Sequence, residues 1–115
     1  LLACQDQVSL NNGLVQVQWA GLNIVAPDED RKFAHLAILP QDVYIALMPP
    51  PGPPINRFSG TVREVRENDG VVQVTVEVGE ETLRAEISRD HLSAMNLSPG
   101  DRVHGILKLR ALRGC

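Results

Sequence analysis

Five polar residues form a set that could hold a tetrahedral anion: Asn56, Arg57, Ser88, Arg89 and Lys108. Arginine and lysine bring positive charge, and serine and asparagine bring neutral donors, the combination a multiply charged oxyanion requires. Ser88 also opens a stretch, Ser88 to Leu97, that reads as one short helix with Ser88 as its N-cap. A helix start offers free backbone N–H groups and the positive end of a dipole, which suits an oxyanion. The same residues have a plainer reading. Ser88 caps the helix, Arg57 and Arg89 are surface side chains, and Lys108 points to water. Spacing alone favours the plainer reading.

Catalysis has little to stand on. His35, His91 and His104 are scattered, with no H-x-x-H or H-E-x-x-H spacing. Cys4 and Cys115 lie near opposite ends and form no C-x-x-C pair; they read as two unpaired thiols of a reducing compartment. No Walker-type phosphate loop occurs, so no ATP chemistry is expected in this chain. Ser59-Gly60 and Ser98-Pro99-Gly100 read as turn elements, not nucleophile elbows. Asp28-Glu29-Asp30 and Glu80-Glu81 read as solvated loop charges. No catalytic residue and no metal ligand is assigned.

Composition narrows the partners. Charged residues make up 22% and hydrophobic ones 43% of the 115 residues, ordinary for a globular domain. A net charge of −3 and 3% aromatics argue against a nucleic-acid partner, which needs a basic face or stacking platforms. No stretch approaches the roughly 18 apolar residues of a membrane-spanning helix, so no direct membrane insertion is expected. The chain opens at Leu1 in a strand-like stretch and reads as a piece of a longer protein, the remainder lying on the N-terminal side.

The elements that must position these residues are strands. After Asn11-Asn12-Gly13, Val15, Val17 and Trp19 alternate with Gln16 and Gln18; after Asp69-Gly70, Val72, Val74, Val76 and Val78 alternate with Gln73, Thr75 and Glu77. Asn-Gly and Asp-Gly favour tight hairpins, so Val8–Leu10 should pair with Leu14–Trp19, and Gly60–Glu67 with Val71–Val78. Gly13-Leu-Val-Gln-Val matches Gly70-Val-Val-Gln-Val, and a further strand follows each, Leu22–Ala26 and Thr82–Ile87. Last strands are expected at Leu36–Leu39 and Val103–Leu109. The pattern suggests a duplicated β unit: a first lobe over 1–48, a second over 56–115, and a stiff connector over 49–55 containing five prolines.

The segments Asn56-Arg-Phe-Ser-Gly-Thr-Val62, Val71–Val78, Ile87-Ser-Arg-Asp90, Leu97-Ser-Pro-Gly-Asp-Arg-Val103 and Ile106-Leu-Lys-Leu109 resemble, in that order, the TOBE or Mop-type molybdate-binding fold. Ala37-Ile-Leu-Pro-Gln-Asp-Val43 is similar to the strand and turn that follow the ATPase domain of importer-type ABC proteins. The resemblance implies an all-β fold of OB-like small β-barrel lobes with one short helix. It implies the C-terminal regulatory domain of a molybdate, tungstate or sulfate importer ATPase, working as a homodimer. The partners would be an ATPase domain, carrying ATP and magnesium, and a membrane permease at the inner face of the cell membrane. In oxyanion-binding members the anion lies between Mop-type units, held by a Ser-Ala-Arg-Asn stretch, a helix-start hydroxyl and a Lys on the last strand. Ser88, Lys108 and Asn56 match three of these positions, whereas Pro53 and Ile55 stand where the Ser and Arg fall. The resemblance also fits a stand-alone or regulator-associated intracellular molybdate-binding protein.

Overall fold

A computed structural model describes all 115 residues. In chain order the strands are β1 (Leu2–Ala3), β2 (Gln5–Ser9), β3 (Leu14–Trp19), β4 (Leu22–Pro27), β5 (His35–Ala37), β6 (Val43–Ala46), β7 (Arg57–Asn68), β8 (Val71–Val78) and β9 (Glu81–Ser88). The single helix, α1 (Arg89–Met95), follows, then β10 (Arg102–Leu107) and β11 (Arg113–Gly114). The fold is all-β and OB-like, with one short helix.

Alternation decides which face of each strand is buried. Val72, Val74, Val76 and Val78 of β8 are sealed inside, as are Val15, Val17 and Trp19 of β3. Each such side chain contributes about 2 kcal/mol by leaving water. The two matching Gly-x-Val-Gln-Val segments are the central strands of two antiparallel meanders, β2-β3-β4 and β7-β8-β9. At the Asp69-Gly70 turn both residues have positive φ, 53° and 78°, the geometry a tight hairpin demands.

The larger sheet runs β6-β10-β7-β8-β9 and curls until β6 approaches β9. A register shift between Val62 and Glu64 puts a bulge in β7, which bends the strand and helps the sheet close. Two glycines allow the tight approach of layers. A Cβ on Gly60 would run into the Glu77 carbonyl and the Val76 side chain; one on Gly105 would strike the Phe58 ring and the Tyr44 carbonyl. Ser59-Gly60, expected as a turn, is therefore the interior of β7, and its glycine answers to packing rather than to chain reversal.

Strand pairing crosses the expected division at residue 48 twice. β6, from the first half, pairs with β10 in the larger sheet, and β11, from the end of the chain, pairs with β5 beside β1. The strand expected over Leu36–Leu39 is limited to His35–Ala37, because Pro40 opens a short 3-10 turn that leads into β6. The last strand likewise ends at Leu107 rather than Leu109, and a 3-10 turn over Leu109–Ala111 follows. Glu29, expected as a solvated loop charge, instead accepts the Gly114 N–H at 2.7 Å, while Arg31 donates to the Gly114 carbonyl at 2.5 Å. Those two side chains clasp β11 against the first half.

Candidate functional site

Ser88 sits where β9 becomes α1. Its backbone is still extended, with φ −75° and ψ 160°, and its hydroxyl oxygen accepts the His91 N–H at 3.1 Å. That satisfies one helix-start donor and leaves the hydroxyl proton free to donate elsewhere. Lys108 lies one residue beyond β10 and is exposed. Ser88 and Lys108 line one recess of about 200 Å3, together with Tyr44, Glu86 and His91. The rings of Tyr44 and His91 are 6.0 Å apart, centre to centre, and tilted by 31°.

The recess carries an ammonium group, two hydroxyls and an imidazole, enough donors to surround a small oxyanion. It also carries one carboxylate, that of Glu86, which opposes an anion by like charge. No cluster of three or more His, Cys, Asp or Glu side chains suited to a metal occurs. No helix is long and apolar enough to cross a membrane.

The other three expected anion ligands are engaged elsewhere. Asn56 is buried, and its side-chain amide is bonded both ways to the backbone of Val25. Arg57 donates to the carbonyls of Pro50, Pro51 and Pro53, with the Pro51 and Pro53 bonds both at 2.8 Å. Arg89 is paired with Glu67 across the α1 and β7 ends. Neither Pro53 nor Ile55 lines the recess.

Tyr44, Glu86 and His91 were not among the expected ligands. Alternation along β9 signals Glu86, since it shares a face with Ser88. Tyr44 carries no such signal, because its place depends on β6 pairing with β10, where it lies opposite Ile106.

Fold and recess together define a small OB-like barrel whose strands present an open, donor-rich hollow. Residues 53–108 match the family described as the TOBE domain, a stretch that runs from the proline segment to Lys108. Among solved structures, the fold is similar to the cytoplasmic molybdate-binding protein ModG, crystallised with molybdate bound, at 12% identity and a TM-score of 0.74. The likeness covers 98% of this chain and 89% of that one. No curated protein matches the sequence.

Proposed function

We propose that this chain is a regulatory and dimerisation domain of an ABC importer's ATP-binding subunit, and that it senses a tetrahedral oxyanion such as molybdate or tungstate. The observation that carries the oxyanion reading is the meeting of Ser88 and Lys108 in one recess, within the stretch matching the TOBE domain. An incoming dianion would gain the Lys108 charge and the Ser88 hydroxyl proton. The Glu86 carboxylate offsets the Lys108 charge, so the neutral donors of Ser88, Tyr44 and His91 must carry the rest of the binding. A second copy of the chain facing the open recess would add donors that this copy does not supply. In this reading ATP and magnesium belong to an ATPase domain, and a membrane permease completes the assembly at the inner face of the membrane. Anion binding would restrain the motor only if the anion prefers one motor state over the other.

Calorimetric titration with molybdate, tungstate and sulfate, repeated on Lys108→Ala, tests the anion. Saturable heat with one of them, lost in the variant, supports the proposal; no heat with any of the three refutes the sensing role. Measuring ATP hydrolysis by the parent subunit with and without that anion tests the regulatory role. A rate that ignores the anion would refute it.

One observation favours a second reading. The likeness to ModG runs over nearly the whole of both chains, including the first half. A stand-alone molybdate-binding protein would need no ATPase, and its anion binding would be complete in the isolated chain.

A further inference from the structure

A second recess, larger than the first and sharing no residue with it, lies where the proline segment crosses the outer face of β7 and β10. Its volume is about 520 Å3, within the range of sites that enclose small organic molecules. A bare tetrahedral oxyanion would leave most of it empty.

The register explains what lines it. His104 lies opposite Ser59, Ile106 opposite Arg57 and Arg102 opposite Thr61, so Arg57, Ser59, Arg102 and His104 share the face that points away from the barrel core. The alternate residues, Phe58, Gly60, Val103 and Leu107, form the buried face. The β3–β4 hairpin supplies Leu22, the end of β8 supplies Val78, and the strap supplies Pro49 and Pro50.

The charge in this recess has one sign. Arg57 and Arg102 both line it, and none of its lining residues is acidic. This holds in a chain of net charge −3 with 14 acidic residues. Arg102 is exposed and makes no ion pair or side-chain hydrogen bond. Arg57 gives three of its five N–H donors to proline carbonyls and keeps its full charge. Ser59 Oγ and His104 Nδ1 are 2.8 Å apart. If the hydroxyl donates to Nδ1, the ring proton sits on Nε2; if Nδ1 donates, the hydroxyl proton is free. Either tautomer leaves the pair with one donor to offer.

We infer that this recess binds a small organic phosphate, its phosphoryl group held by Arg102, Arg57 and the Ser59–His104 pair, its apolar body lying against Leu22 and the proline strap. Two guanidinium charges and the Ser59–His104 donor suit the charge and acceptor oxygens of a phosphoryl group, and the apolar walls account for the volume a free anion would not fill.

The test uses the intact chain, with phenyl phosphate and inorganic phosphate as probes and backbone amide NMR signals of Ser59, Gly79 and Gly105 as reporters. Saturable shifts at these three with phenyl phosphate are expected, with inorganic phosphate at least about tenfold weaker. Arg102→Ala should weaken phenyl phosphate by about tenfold, the range of one charge-assisted hydrogen bond. Lys32→Ala removes the same charge from an exposed loop and should change nothing at the site. Shifts that fail to saturate, equal affinity for inorganic phosphate, or equal losses in the two variants would each overturn the assignment.

Discussion

The side-chain amide of Asn56 spans the backbone of Val25, accepting from its N–H at 2.6 Å and donating to its carbonyl at 2.8 Å. Asn56 itself is only 2% exposed and has a φ of 55°, a left-handed conformation that asparagine tolerates well. Val25 lies in β4, so this contact joins the small meander to the entrance of β7. Its backbone takes part too, the Asn56 carbonyl accepting the Leu107 N–H at 2.8 Å.

Asn56→Ala should therefore destabilise the fold by about 3 kcal/mol, from two part-buried backbone groups left without partners and from strain at positive φ. Asn56→Gly removes the strain and should recover a fraction of that loss. Urea denaturation of the three proteins measures both. A midpoint for Asn56→Ala equal to that of the parent would show that the amide bridge contributes nothing.

Ser88 serves two ends that substitution can separate. Ser88→Ala loses the cap and should cost about 1 kcal/mol of stability as well as weakening any bound oxyanion. Ser88→Asp keeps a capping oxygen, and its negative charge suits a helix start. It should hold the melting temperature yet abolish oxyanion binding through like-charge repulsion. Retained oxyanion affinity in a folded Ser88→Asp protein would remove Ser88 from the site.

Gly60→Ala should cost about 3 kcal/mol or prevent folding, because the added methyl meets the Glu77 backbone, and overpacking against backbone has little room to relax. Gly70→Ala is the contrast. Nothing lies within 4 Å of a Cβ there, so its cost is limited to the strain of a φ of 78°. Comparing the two denaturation midpoints checks whether Gly60 is fixed by packing or by turn geometry.

Burial, and to a lesser degree the neighbouring Cys115 thiol, raises the Cys4 pKa above the ordinary thiol value of 9.0. A raised value means that the folded state holds the proton more tightly than the unfolded one. The associated stability is complete below 9.0 and is lost as pH rises through the folded value. Stability should thus fall on the alkaline side in the parent and fall less in Cys4→Ala. Cys115 is exposed and Cys4 half-buried, so iodoacetamide at neutral pH should label Cys115 first. Equal labelling rates would contradict the burial of Cys4.

Much of this fold is written in local patterns. The valines of β8 alternate with polar residues, and a period of two has one meaning when one face is buried. Ser88 before an apolar repeat marks a helix start, and the helix forms there. The role of Arg57 is not written locally. Prolines lack N–H groups, so the segment around them cannot enter a ladder and its carbonyls need donors from elsewhere. The sequence shows the charge of Arg57 but not the three carbonyls that claim its N–H groups. Asn56 is hidden for a related reason: its partner, Val25, is near only after the meander has packed. Ser88 and Lys108 share a recess because the curl of the larger sheet brings β9 against β6, whose start pairs with the end of β10. Tyr44 joins them through a pairing between the two halves of the chain that no local period announces.

The strand β6 lies outside residues 53–108, yet it closes one side of the sheet to which that stretch contributes. A polypeptide started at residue 53 would carry a bare rim along β10, from His104 to Leu107. Unpaired rims of this kind recruit strands from other molecules, which leads to exchanged or aggregated assemblies. The stretch that matches the family and the stretch whose β10 rim is paired are therefore different lengths of chain. Covering that rim takes the chain back to Val43, on the far side of the proline strap.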